Sequence, residues 1–246
     1  MDWQQRMNRA LDYLEESLDG EIDWEAAAAR ASCSPFHFRR MFEVASGVSP
    51  ADYVLRRRAK TASRLSYREP AANTPPLRVR LEARGAMTLT GLKRRITVED
   101  GRQVRDIPAF WLQSQASGAL EVLESLVPAG SDMGVVGVSV HIATEWQEFN
   151  YLIAIEAPQD RRALPTGCVD VRIEPSTWAK FDCSGPLPSS MTDTIRRAYG
   201  EWFTTSGYEH AGGPEIEIYP PGDKRERSYR CELWMPVVEV GTPQRT

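Results

Sequence analysis

The stretch PEIEIYPPGDKRERSYRCELWMPV, residues 214–237, decides the fold. Glu215 to Tyr219 and Tyr229 to Val237 read as two strands, with polar and apolar side chains alternating at a period of two. In an extended strand residues i and i+2 share a face, so Glu217 projects with Tyr219 and Glu232 with Trp234. Carboxylates alternating with aromatics on adjacent strands form a half-apolar, negatively charged wall. Such a wall suits a cation through charge pairing, stacking and cation–π contact.

Upstream the same order of elements recurs. Arg78 to Ala83 and Met87 to Ile96 read as strands, Asp106-Ile107-Pro108 caps a helix bearing Phe110, Trp111 and Leu112, and helical sequence continues from Ala119 to Leu126. Strands follow at Gly134 to Ile142 and Phe149 to Ala157. The second half runs Val169 to Pro175, Trp178 to Cys183, a helix from Met191 to Thr205, and then the opening pair. A strand-strand-helix-strand-strand unit therefore occurs twice, which predicts an α+β chain whose second domain is a pseudo-twofold duplicated ββαββ unit. Two such halves lay their sheets edge to edge with both helices across one face and a ligand cleft on the axis. Glu217 is the first candidate for holding a ligand there, then Glu232, Tyr219 and Trp234, with Trp111 and Tyr151 as lids. Against this, Trp178 and Trp202 read as core aromatics, Glu156 as a rim carboxylate, and Glu215 and Glu217 can simply decorate an open sheet face.

The first seventy residues are all-helical. Trp3, Met7, Ala10, Leu11, Leu14 and Leu18 recur at helical spacing before Asp19-Gly20. Asp23 caps a second helix to Ala31; Ser34-Pro35 opens a third, Phe36 to about Ser46; Ser49-Pro50 opens a fourth that runs past Leu65 to Glu69-Pro70. The formal net charge is -4, yet residues 36–68 carry Arg39, Arg40, Arg56, Arg57, Arg58, Lys60, Arg64 and Arg68 against Glu43 and Asp52, while residues 1–35 are acidic. The charge places a positive face on the third and fourth helices.

The run SPFHFRRMFEVASGVSPADYVLRRRAKTASRL, with its S-P-x-H-F-x-R-x-F core, its G-V-S-P and its Y-V-x-x-R-R-x-x-x-A helix, resembles the first half of the DNA-binding domain of AraC/XylS-family transcription regulators. The resemblance implies that Phe36, Arg39 and Arg40 face bases of double-stranded promoter DNA, with Arg56 and Arg57 on the basic linker helix beside them. Ser32 stands where that family has a turn glycine, and the family's second helix-turn-helix is missing. One reading head neutralises few phosphates, so useful affinity calls for a homodimer. Residues 78–238 resemble the GyrI-like effector-binding domain, on Asn150-Tyr151-Leu152-Ile153-Ala154-Ile155-Glu156, Trp178-Ala179-Lys180-Phe181, Glu201-Trp202-Phe203, Pro214 to Tyr219 and Glu232 to Val237. That resemblance implies a sensor of flat aromatic or cationic small molecules. The domains expected are 1–70 helix-turn-helix, 71–76 linker and 77–240 effector-binding.

Cys33, Cys168, Cys183 and Cys231 are widely spaced and His37, His141 and His210 dispersed, which gives neither a zinc site nor a disulfide framework. No cofactor is expected, and no nucleophile–base constellation emerges from spacing. No apolar run approaches the roughly 20 residues that span a bilayer, and Met1-Asp2-Trp3 opens an amphipathic helix, so a cytoplasmic protein with no membrane partner is expected. Two functions remain open. One is a ligand-responsive, DNA-binding transcription regulator that senses a hydrophobic small molecule, cationic aromatics included. The other is a small-molecule-binding protein, a drug sequestrant or a hydrolase of strained electrophilic rings, whose helical domain is vestigial.

Overall fold

The computed structural model describes residues 3–60, 62–65, 76–98, 102–141 and 148–240. Of the expected linker 71–76 all but Pro76, and the expected helix end at Glu69-Pro70, lie outside the described residues. The chain is mixed α+β. In order, its elements begin with α1 (Trp3–Glu16), α2 (Trp24–Arg30), α3 (Pro35–Ser46) and α4 (Pro50–Arg58). Then come β1 (Val79–Arg84), β2 (Met87–Thr97), α5 (Gln103–Ala116), α6 (Ala119–Ser125), β3 (Val136–His141) and β4 (Glu148–Glu156). The second half holds β5 (Cys168–Ile173), β6 (Ser176–Ser184), α7 (Ser189–Arg197), a π-helical turn at Ala198–Trp202, α8 (Phe203–Thr205), β7 (Tyr208–His210), β8 (Glu215–Ile218) and β9 (Arg230–Glu239).

These elements form two compact units. One is Met1–Leu77 with Ile195–Gly212 and Val238–Thr246; the other is Arg78–Thr194 with Gly213–Val237. Residues 195–212, which fall inside the expected effector-binding span 77–240, group with the amino-terminal helices.

In the helical unit, α1 buries Trp3, Met7, Ala10, Leu11 and Leu14 on one stripe. Each large side chain among them contributes about 1.5–3 kcal/mol relative to exposure. Asp23 caps α2 by accepting from Ala26 N at 3.0 Å, and Ser34 caps α3 by accepting from His37 N at 3.3 Å. Helix α2 stops in a Schellman arrangement: Cys33 N donates to Ala28 O, Ser32 N to Ala29 O, and Ser32 itself sits at φ 55°. That left-handed conformation is what a glycine supplies without strain. The fourth helix is shorter than its apolar spacing suggests. It ends at Arg58, Lys60 turns left-handed at φ 55°, and Leu65 N donates to the Tyr53 hydroxyl at 3.2 Å. Ala62 and Leu65 therefore lie off the helix, where a side-chain acceptor catches the departing backbone.

In the sheet unit the path is β1-β6-β9-β8-β3-β4-β2-β5, with each neighbouring pair antiparallel. Exchanging β1, β2, β3, β4 for β5, β6, β8, β9 turns this path into its own reverse. The two halves meet at β8 and β3, and each lends one outer strand to the other: β1 pairs with β6, β5 with β2.

Residues opposite one another in an antiparallel ladder share a face, so register sorts the side chains. One face carries Ile96, Phe149, Tyr151, Ile153 and Ile155, packed with Phe110 of α5 and Leu123 of α6. The other carries Leu89, Val136, Val138, Leu152, Trp178, Ile216 and Trp234. The expected cap at Asp106 is replaced by an earlier start: α5 begins at Gln103 and takes Pro108 into its interior. The backbone donor that proline lacks falls early in the helix, beyond the first turn, so the helix forgoes one bond there.

Candidate effector-binding site

Strand β8 supplies Glu217, 8% exposed, on the face that α5 covers. Register explains that direction. Glu217 lies opposite Gly137 of β3 and Leu233 of β9, and β3 sets Ser139 opposite Tyr151 of β4. A carboxylate this deep is costly unless its oxygens are satisfied. The Tyr151 hydroxyl donates to Glu217 Oε2 at 2.6 Å, and the Tyr219 hydroxyl donates to the same oxygen at 2.9 Å. Trp111 of α5 donates its indole N–H to the Tyr151 oxygen at 3.1 Å and stands edge-on to the Tyr219 ring, centroids 5.5 Å apart. Burial, and then the Glu217 charge, hold both phenols well above the ordinary tyrosine pKa, so each remains a donor.

The arrangement is a carboxylate ringed by three aromatic side chains. Its charge attracts a cation and its rings offer faces and edges for stacking. Residues 80–237 match the family described as Cass2, integron-associated effector binding protein. The chain belongs to the Cass2 family.

Among solved structures, SAV2435 bound to tetraphenylphosphonium is 22% identical, with a TM-score of 0.56 over 65% of this chain and 94% of that one. A protein from Staphylococcus aureus MU50, named for bacterial transcription regulation, is 21% identical, with a TM-score of 0.54 over 66% of this chain and 99% of that one. At these identities the likeness concerns the fold. No curated protein matches the chain.

Within the Cass2 fold the six residues singled out from sequence divide between opposite faces. Glu217, Tyr219, Tyr151 and Trp111 come together. Glu232 and Trp234 do not join them, because β9 sets Glu232 opposite Ile218 and Trp234 opposite Ile216, on the far side of the sheet from Glu217. There Glu232 accepts from Arg80 at 2.7 Å and from the Trp234 indole at 2.7 Å. The Trp234 ring lies under Lys180 Nζ at 3.7 Å and Arg84 at 4.6 Å. Their i, i+2 pairing was legible; that β8 and β9 are offset by one residue in facing was not. Glu215 is 2% exposed, so neither it nor Glu217 decorates an open face, and Trp178 is core.

Two members of the site escaped the sequence reading. Gly137 leaves the room through which Tyr151 reaches Glu217, since a Cβ there would lie 2.6 Å from Glu217 Oε2 and collide with the Tyr151 hydroxyl. An isolated glycine inside a strand is a usable signal of such close approach. Lys224, between β8 and β9, places Nζ 5.1 Å from both the Trp111 and Tyr219 ring centroids. The residue as a whole is exposed, but its amine loses water against the rings, and burial lowers its pKa while Glu124 opposes that shift.

In the helical unit the residues expected to meet DNA are differently placed. Arg39 is 4% exposed, with Nε 4.0 Å from Glu43. Arg40 stacks over Tyr199 at 5.6 Å, and His37 packs edge-on to Tyr199 and Phe203 at 5.4 and 5.1 Å. Gly200 admits α3 closely: a Cβ there would lie 3.1 Å from Val44 Cγ1. The 198–203 segment thus covers the edge of α3 that carries His37, Arg40 and Val44. The Phe36 side chain lies outside those described. On α4, Arg56 is exposed, whereas Arg57 grips Glu15 at 2.8 and 2.6 Å and Arg58 reaches Leu18 O at 2.7 Å; beyond the helix, Arg64 pairs with Asp12. Arg57 and Arg64 are thus paired with acidic residues of α1. Among the described residues no group of three or more His, Cys, Asp or Glu is arranged to hold a metal, and no helix is long and apolar enough to cross a membrane.

Proposed function

We propose that this Cass2-family protein is a ligand-responsive DNA-binding transcription regulator whose effector is a hydrophobic aromatic cation held at Glu217. The observation that carries the reading is the buried Glu217 carboxylate with Tyr151, Tyr219 and Trp111 around it. Exchange of a resident donor for an effector's charge, with ring contacts on both sides, favours a large delocalised cation over a small hydrated one. SAV2435, of the same fold, was solved with tetraphenylphosphonium, a cation of that class.

The reading takes the sheet unit as a duplicated ββαββ effector domain with the ligand at its pseudo-twofold axis. It takes α2, the Ser32-Cys33-Ser34 turn and α3 as a single AraC-like helix-turn-helix, with α4 as its basic linker and a homodimer supplying two heads. Contact with promoter DNA through Arg40 then requires α3 to leave the 198–203 segment. That segment is continuous in chain with α7 and β8, and β8 carries Glu217. An effector regulates such a release only through different affinity for the two arrangements.

A second reading, a small-molecule sequestrant whose helical unit no longer reads DNA, is favoured by the burial of Arg39. Hydrolysis is the weaker branch of it, because two phenol donors already occupy Glu217 Oε2, the oxygen that would direct a water. Mobility shifts with DNA flanking the protein's own coding region, with and without tetraphenylphosphonium, separate the two. The regulator reading expects a sequence-specific shift that the cation changes and Arg40→Ala weakens. Absence of any specific shift at low salt in both states leaves the sequestrant.

A further inference from the structure

The loop from Tyr219 to Tyr229 is built rather than loose. The Tyr229 hydroxyl donates to Pro220 O at 2.9 Å, Glu226 N to Asp223 O at 3.1 Å, and Tyr229 N to Glu226 O at 3.2 Å. Two anchors fasten it to the segment after β6: Gly185 N donates to Tyr229 O at 3.0 Å and Leu187 N to Lys224 O at 2.8 Å. The backbone of Lys224 is therefore fixed, and its four-carbon stem delivers the ammonium to one place. That place is the corner between Trp111 and Tyr219, 5.1 Å from each ring centroid. An unconstrained surface lysine gains little by leaving water, because its ammonium is strongly hydrated. Here two aromatic rings receive it at once, and Tyr219, one of them, is itself bonded to Glu217.

We infer that Lys224 is a tethered cation that fills the aromatic corner of the effector site, and that an incoming aromatic cation must displace it. This rests on the reading of Glu217 and its aromatic neighbours as the effector site. Lys224 is then the residue that sets affinity and charge selectivity. Its ammonium competes for the Trp111 and Tyr219 rings and adds positive charge where the effector brings its own. Because only the side chain needs to move, the Leu187–Lys224 backbone bond and the loop survive the exchange. Removing the charge tightens cation binding, and arginine, which keeps charge and ring affinity, preserves the barrier. A neutral aromatic gains less from the removal, since it loses only the steric competitor.

The test titrates tetraphenylphosphonium, and triphenylphosphine oxide as a neutral aromatic, into the full-length wild type, Lys224→Met and Lys224→Arg, followed by calorimetry. Lys224 is exposed and holds its neighbours through its carbonyl, so both variants keep the fold. The expected result is about ten-fold tighter binding of the phosphonium by Lys224→Met. Lys224→Arg is expected within about three-fold of wild type, and the neutral compound shifts by less than the cation. Binding by Lys224→Met with none detectable in wild type supports the inference equally. Equal or weaker phosphonium binding by Lys224→Met, with wild type binding, overturns the tethered cation and leaves the effector site standing. No binding by any of the three proteins overturns both.

Discussion

The Tyr151 hydroxyl donates to Glu217 Oε2 at 2.6 Å although β4 and β8 are not neighbours; β3 runs between them, and Gly137 on β3 leaves the passage open. One missing side chain thus lets the two halves of the sheet share a buried charge. Gly137→Ala is expected to break this contact, because the methyl group occupies the space of the phenol oxygen. Overpacking of that kind costs about 1–3 kcal/mol. Urea denaturation should show a loss in that range, and tetraphenylphosphonium affinity should fall at least about ten-fold. Wild-type affinity in Gly137→Ala would separate the Tyr151–Glu217 contact from binding.

The facing of β9 makes a contrasting prediction. Glu232 lies on the side of the sheet away from Glu217 and is engaged by Arg80 and the Trp234 indole. Glu232→Gln should therefore leave tetraphenylphosphonium affinity within about two-fold of wild type. A loss as large as that of a Glu217 variant would place both carboxylates in one site, against the register.

Alkaline pH probes the phenols. Burial and the Glu217 charge raise Tyr151 and Tyr219 well above the ordinary value near 10. A group whose folded pKa is raised stabilises fully below its unfolded pKa, and that contribution is lost as pH rises through the folded value. Thermal stability should thus begin to fall above about pH 10 and fall less steeply in Tyr151→Phe. Parallel pH profiles for wild type and variant would contradict the assignment.

Ser32 holds a left-handed turn at φ 55° that closes α2. A side chain in that conformation costs about 1–2 kcal/mol, part of which glycine returns through greater freedom in the unfolded chain. Ser32→Gly should raise stability by about 0.5–1 kcal/mol in chemical denaturation. A destabilised variant would mean that the Ser32 side chain makes a contribution the turn does not reveal.

Much of the architecture was readable from local signals. Caps at Asp23 and Ser34, the stripe of α1 and the alternation of the strands all act within a few residues, and they locate most elements. Glu217, Tyr219, Tyr151 and Trp111 were also within reach, since each sits in a patterned segment. What could not be read is set by pairing between distant segments. The exchange of β1 and β5 between halves, the one-residue offset that turns Glu232 and Trp234 away, and the cover of 198–203 over Arg40 depend on register and packing. Lys224 was illegible for the same reason, being one of several basic residues in a polar loop until that loop is anchored at Leu187. The end of α4 at Arg58 is a tertiary override, in which Tyr53 and Arg57 hold the chain after Lys60 off the helical path.

The central claim is that Glu217 binds an aromatic cation, and calorimetric titration of tetraphenylphosphonium into wild type and Glu217→Gln tests it most directly. Glutamine keeps the shape and an acceptor for Tyr151 and Tyr219 but removes the charge. The account predicts saturable one-to-one binding by wild type and at least about ten-fold weaker binding by Glu217→Gln. Equal affinity of the two proteins for the cation would contradict it.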